Sequence, residues 1–340
     1  MWRTVKKNKK TNHPVTVQTP YGKIEIRRQV DYCESCQTTS GRTDNVLEIK
    51  NRGHYATKDF IELITYMGQM SSSFEDAKEI LNKLRGVEIS PSHIQKITEE
   101  IGKEVFDKET ETSRKIFNEP EKYIPTLLEK EKTDGILYIL TDGSAVNTRV
   151  EDEDGSTWKE MKLGMVFSDK DVIRRGTKAE SSIIMKKEYV TYFGSVNEFK
   201  EHLFAAAIRA GYGSIKKVVV IGDGAHWIWN MCRELFPDAE CILDYYHMAE
   251  NVYKYANVLF PNDDKARIKW AKTVTYYVKT EQLDKAIRKI NKSPLSYPEN
   301  ALNLVQYLEN NRDRLHYLQY ENNGYYTYFH FNCPQSADKN

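Results

Sequence analysis

Apolar and polar residues alternate from Val15 to Val30 around Pro20-Tyr21-Gly22, which predicts a β-hairpin with its turn at the centre. From 57 to 104 the repeat becomes that of helices. One helix is predicted to start at Ser73, with Asp76 three positions on as in a capping box. It carries Phe74, Ala77, Ile80, Leu81 and Leu84 as an apolar stripe. Gly86 closes it, and Ser90-Pro91 opens the next helix, whose buried face is Ile94, Ile97 and Ile101. Helix, short glycine-containing turn, helix is the outline of a helix-turn-helix unit over 51–104, although an ordinary helical hairpin fits the same pattern. Residues 105–134, rich in Glu and Lys, read as a charged helical connector.

Beyond the connector the pattern changes. Gly135 to Thr141 is a compact apolar strand with Asp142 at its end. An acidic turn from Glu151 to Gly155, with the hairpin dipeptide Asp154-Gly155, leads to a partner strand from Trp158 to Phe167. Glu188 to Gly194 makes a third strand and Asn197 to Ala210 an amphipathic helix. Lys216 to Ile221 is a fourth, β-branched strand that delivers Asp223. A helix with Trp227, Ile228, Met231 and Leu235 on one side stops at Pro237, and a short strand, Cys241 to Leu243, precedes a long helix from about Tyr245. This order predicts an α/β chain with a ribonuclease-H-like mixed sheet over 135–255, three antiparallel strands extended by parallel crossovers.

In that arrangement the first and fourth strands are neighbours, so Asp142 and Asp223 stand together at one edge of the sheet. Two divalent cations about 3.5–4 Å apart can clamp the attacking and leaving oxygens of a phosphodiester. Mg²⁺ prefers carboxylate and water ligands presented from rigid elements. Either Asp-Gly taken singly is more often a turn. The pair at the first and fourth strand ends favours a metal site. Asp244 sits where it caps the following helix, with His247 at the third helical position; a place near the scissile phosphate is the second reading.

Composition sets the frame. The chain has 340 residues, 40% hydrophobic and 29% charged, ordinary for a globular protein. Its apolar runs, such as Val218 to Ile221, are too short to cross a bilayer, and Met1 to Lys10 is basic with no apolar stretch behind it. No membrane is therefore expected, and a cytoplasmic location is. The net charge of +1 hides an excess of +7 over residues 1–30, where Lys6, Lys7, Lys9 and Lys10 are prominent. Such a segment can bind phosphate backbone, or can be a solvated tail. On the second predicted helix Ser92, His93, Gln95 and Lys96 are polar residues able to touch bases or phosphates. Of five cysteines only Cys33 and Cys36 have a ligand spacing, half of a tetrahedral zinc site. No second pair lies nearby, with His13 and His54 the remaining candidates, so residues 1–50 read as a β-hairpin with a zinc-ribbon remnant and no bound zinc is expected. Cys232, Cys241 and Cys333 look unpaired, as in a reducing compartment.

The stretches Thr141-Asp-Gly-Ser, Trp158-Lys-Glu-Met-Lys-Leu-Gly, Gly222-Asp-Gly-Ala-His-Trp-Ile-Trp and Ile242-Leu-Asp-Tyr-Tyr-His resemble bacterial DDE-type insertion-sequence transposases, nearest the ISKra type and distantly similar to Mutator-like elements. The resemblance runs from about Tyr21 to Tyr326. It implies a ribonuclease-H-like catalytic domain with a helical insertion, here 256–325, and a divergent tail, 326–340. It implies Asp142 and Asp223 as the first two catalytic, metal-binding acids for two Mg²⁺ or Mn²⁺ ions. Asp244-Tyr-Tyr-His247 matches an element beside the active site, and Ser73 to Gly102 the helical DNA-binding region. The implied partners are double-stranded DNA with transposon terminal inverted repeats and further copies of the chain, in a bacterial, nucleoid-associated setting. Two features depart from the pattern. The second Cys-x-x-Cys pair has no counterpart. The third acid, a Glu after Gly-Ser-Gly, has none either: after Asn311-Arg-Asp-Arg-Leu-His-Tyr317 the residue nearest its place is Gln335. A truncated or frameshifted element is the expectation. A DNA-binding remnant without catalysis and a plain ribonuclease-H-like nuclease are the competing readings.

Overall fold

A computed structural model describes residues 13–28, 30–33, 38–41, 44, 46–51, 54–124, 133–149, 151, 155–174, 182–293 and 303–327. Lys6, Lys7, Lys9, Lys10, Cys36, Asp154 and Gln335 lie outside the described residues. The chain forms two compact units, Met1–Glu109 and Thr110–Asn340.

In the first unit the alternating segment forms β1 (His13–Thr19) and β2 (Gly22–Arg28), antiparallel with Thr19 opposite Gly22. Two further ladders join β3 (Val30–Cys33) to β4 (Thr38–Gly41) and β5 (Lys50–Asn51) to β6 (His54–Tyr55). Three helices follow: α1 (Lys58–Met70), α2 (Phe74–Arg85) and α3 (Pro91–Asn118). The Ser73 hydroxyl accepts from the Asp76 amide at 3.1 Å, and Gly86 closes α2 at φ 64°, a left-handed conformation that costs glycine little. Phe60, Ile64, Ala77, Leu81, Ile94 and Ile97 fill the core between the helices. The stripe of α2 is narrower than its sequence suggests, for Ile80 and Leu84 are 37% and 72% exposed. The Ala77–Leu81 line, four residues apart on one side, is buried among the neighbouring helices, with Phe74 packed against the same core. The charged stretch after 104 begins as a continuation of α3, because no Gly or Pro interrupts it between Gly102 and Pro120 and Glu and Lys are good helix formers. Pro120 then ends the helix.

The second unit is built on a five-stranded mixed sheet. Its strands are β7 (Thr133–Asn147), β8 (Trp158–Ser168), β11 (Glu188–Phe193), β12 (Ile215–Gly222) and β13 (Glu240–Leu243), in the order β11-β8-β7-β12-β13. A small ladder of β9 (Val172–Arg174) and β10 (Ser182–Ile184), which the sequence pattern does not announce, stands apart from it. The first three strands pair antiparallel, while β7, β12 and β13 run parallel, so their connections need crossovers. Those crossovers are α4 (Val196–Arg209) and α5 (His226–Leu235). Both faces of the central strands are buried. Leu137, Ile139 and Val220 pack against Phe199 and Leu203 of α4 and Met231 and Leu235 of α5. Tyr138, Leu140, Ile221 and Ile242 face a helical layer made of α6 (Tyr245–Leu259), α7 (Asp264–Lys279), α8 (Leu283–Asn291), α9 (Leu304–Asn310) and α10 (Tyr317–Asn322). At about 1.5–3 kcal/mol for each large apolar side chain buried, this double packing is what holds the strand ends rigidly. Among the described residues ten α-helices occur, and none is long and apolar enough to cross a membrane.

The structure also joins two cysteines that look separate in the chain. Cys232 of α5 and Cys241 of β13, both free thiols, lie with their Sγ atoms 2.8 Å apart.

Candidate active site

The parallel ladders end in register. Thr141 is opposite Gly222, and Gly222 is opposite Leu243. The next residue in each case is an aspartate: Asp142, Asp223 and Asp244 form a row where the parallel ladders end. Neighbouring strands lie about 4.8 Å apart, so the row brings the carboxylates into mutual range. The two-residue repeat sets them on one side. Asp142 is in phase with Tyr138 and Leu140, and Asp223 with Val219 and Ile221, all of which face the α6–α10 layer. One detail differs from the sequence reading. β7 does not stop at Asp142 but runs on to Asn147, because β8 continues to pair with it after β12 has ended. Asp142 therefore ends the parallel ladder, not the strand.

Each carboxylate is held by backbone amides. Asp142 Oδ1 accepts from Gly143 at 2.8 Å, and Asp223 Oδ1 from Ala225 at 2.8 Å. Asp244 Oδ1 accepts from Tyr246 at 2.7 Å and His247 at 3.2 Å, which makes it the N-cap of α6. That cap turns the first helical turn toward the row and puts His247 Nε2 3.6 Å from Asp142 Oδ2. Burial raises the Asp223 carboxyl above its ordinary value, and Asp142 pushes it the same way while the Ala225 amide opposes. Asp244 is raised by burial too, against the pull of His247 and the two amides. The Asp142 carboxylate lifts the His247 imidazole to about 9 despite its burial, with Asp244 and Asp223 adding to the effect. Burial thus disfavours the charged forms of Asp223 and Asp244, while Asp142 favours the charged form of the neighbouring imidazole.

Residues from the later helices complete the frame. Tyr307 of α9 donates its hydroxyl to the Asp223 carbonyl at 2.9 Å, and Asn311 ties the end of α9 to the Trp229 indole at 3.0 Å. Gly224 takes φ +104°, and a Cβ there would lie 2.8 Å from the Tyr307 ring. Glycine at 224 is thus favoured both by its backbone conformation and by the ring above it. Tyr317 donates to the Leu243 carbonyl at 2.9 Å, just before Asp244. On the opposite face the buried Lys162, paired across the ladder with Gly143, donates to the Gly194 carbonyl at 2.8 Å and to Glu160 at 3.2 Å. For Tyr307 the only signal is the Tyr-rich composition of the helical segment, whereas Tyr317 closes the Asn311–Tyr317 stretch that the family resemblance singles out.

The remaining candidates fall elsewhere. Glu250 is near the row through His247 Nδ1, at 3.9 Å, and also pairs with Lys254. Glu309 and Glu321 are engaged by Arg312 and Lys279. In the first unit Ser92 and Lys96 are exposed on α3. His93 is turned to His54, 3.3 Å away, and Gln95 donates to Glu99 at 2.7 Å. Cys33 ends β3 opposite Thr38. Among the described residues no three His, Cys, Asp or Glu side chains are grouped so as to hold a metal ion.

Together these features define an α/β protein with a carboxylate row where its parallel ladders end. The chain belongs to the uncharacterised protein family UPF0236, whose sequence profile matches residues 3–292. No curated protein matches the chain.

Proposed function

We propose that the chain is a transposase built on a ribonuclease-H-like core, with Asp142 and Asp223 as the carboxylates that hold Mg²⁺ or Mn²⁺ at the scissile phosphodiester. The observation that carries this reading is the row itself: two half-buried aspartates, one residue past a registered Thr141–Gly222 pair, on one face of a rigid sheet. The strand order, three antiparallel and two parallel, agrees with it.

The donor set suits a hard cation. Mg²⁺ is commonly held by one or two carboxylates, with water and substrate phosphate completing its shell, so two aspartates suffice as the protein's share. Bound there, divalent cations would supply charge stabilisation for the attacking and leaving oxygens of an in-line displacement. The chain's own contribution is positional. The backbone amides of Gly143 and Ala225 fix one oxygen of each acid, and His247 holds a proton beside Asp142. In the reaction a water oxygen would bond to phosphorus as the 3′-oxygen leaves with a proton; that 3′-hydroxyl oxygen would then bond to the phosphorus of a second phosphodiester, whose own 3′-oxygen leaves with the hydroxyl proton. The first unit, with Ser92 and Lys96 exposed on α3, is the part that recognises DNA ends in this reading.

A second reading is a DNA-binding protein that does not cut. It is favoured by the ion pairs that engage Glu309 and Glu321 and by the lack of a three-donor cluster among the described residues. Incubating the chain with Mg²⁺ or Mn²⁺ and duplex DNA from the regions flanking its gene separates the two. Metal-dependent cleavage and joining, lost in Asp142→Asn, is the expected result. Binding without cleavage establishes the second reading, indiscriminate nicking without joining points to a plain nuclease, and cleavage that survives Asp142→Asn removes the proposed site.

A further inference from the structure

We propose that the exposed face of α7 is a docking stripe for the phosphate backbone of double-stranded DNA. This rests on the reading of the chain as a DNA-processing protein but uses none of the residues of the acidic row. Lys265, Lys269 and Lys272 recur at i, i+4 and i+7, which places them on one side of the helix. All three are exposed, as are Ile268 and Tyr276, the tyrosine at 60%. The opposite side, Trp270, Ala271, Val274 and Val278, is buried in the core. With Thr273, the exposed residues line a single open concavity.

The charges on this stripe are unspent. Lys254, Arg267 and Lys279 in the same layer pair with Glu250, Asp264 and Glu321. Among the described residues no acid lies within ion-pair reach of Lys265, Lys269 or Lys272. Three like charges on one side of a helix oppose its formation, so the fold gains nothing from them. Their spacing fits a nucleic acid strand. From Lys265 to Lys272 the helix rises about 10 Å, while one strand of a duplex carries a phosphate about every 3.4 Å of its axis. The three amines therefore cover about three phosphate intervals of one strand, and the Tyr276 hydroxyl adds a neutral donor at the end of the row.

Binding of the full chain to a short fluorescent duplex of arbitrary sequence, read by anisotropy in EDTA across a range of KCl concentrations, tests the proposal. Replacing Lys265, Lys269 and Lys272 together by Ala is expected to weaken binding roughly 10-fold or more and to make the slope of log K against log salt shallower by about 2.7, close to 0.9 for each lost phosphate contact. The triple Lys→Arg variant is expected to restore the slope. An unchanged slope in the Ala variant overturns the proposal, and so does stripe-dependent binding that is tighter to duplex RNA or to anionic phospholipid vesicles than to duplex DNA. The two readings fail separately. Asp142-dependent cleavage with no stripe dependence refutes the stripe alone, whereas stripe-dependent duplex binding without cleavage refutes the transposase reading alone.

Discussion

His247 and Asp223 carry opposite signs of the same electrostatic problem. The imidazole is raised from 6.5 to about 9 because its charged form faces Asp142. A cation whose pKa rises on folding adds stability that is complete below its unfolded value and lost as pH climbs through the folded one. In metal-free protein the His247–Asp142 contact is therefore expected to weaken between pH 6.5 and about 9, and a histidine-resolved NMR titration should place its midpoint near the upper limit. A midpoint at 6.5 or below would mean that Asp142 does not face the ring. Asp223 is raised as well, chiefly by burial, so its charged form is a liability that grows as pH rises above the unfolded carboxyl value. Asp223→Asn keeps an acceptor for the Ala225 amide and removes that charge. Its melting temperature in EDTA is expected to rise by a few degrees, about 2–4 °C for each kcal/mol in a unit of this size. Only the wild-type chain should gain further stability from Mg²⁺; a less stable Asn variant would show that the carboxylate is not strained.

At the scale of elements, the strand ends are held by helices that come much later in the chain. Tyr307→Phe removes one hydrogen bond to the Asp223 carbonyl and keeps the ring, so it should cost about 1 kcal/mol in urea denaturation. Gly224→Ala should cost more, roughly 1–3 kcal/mol, because it asks an L side chain to adopt φ +104° under that ring. Equal effects would mean that the loop does not depend on the glycine. Ser73→Ala, which removes the α2 cap, is expected to cost about 1 kcal/mol in the first unit. These cases show what could be read from the chain. β1 and β2 were legible from alternation, α2 from Ser73 and Gly86, and β7, β12 and β13 from short apolar runs between polar turns. The continuation of β7 past Asp142 was hidden, because a strand that loses one partner and keeps another changes burial without changing its backbone. The width of the α2 stripe was hidden too, since Ile80 and Leu84 are apolar whether or not a neighbour covers them. Tyr307 and Tyr317 reach the strand ends across more than 70 residues of chain, a distance over which no periodicity carries information.

On the scale of the whole molecule, the acidic row on which the proposed function rests lies in the second unit. The α/β unit sets Asp142, Asp223 and Asp244 side by side through two parallel registers. Asp244 is already employed as the α6 cap, so only the first two acids are left to face a cation. The proposed chemistry thus depends on whether Asp142 and Asp223 share a metal ion. The most direct measurement is an anomalous difference map from crystals of the chain soaked in Mn²⁺. Density between the Asp142 and Asp223 carboxylates, with His247 Nε2 moved off Asp142, is the expected result. Mn²⁺ bound elsewhere, with those two carboxylates bare and the His247–Asp142 contact intact, would contradict it.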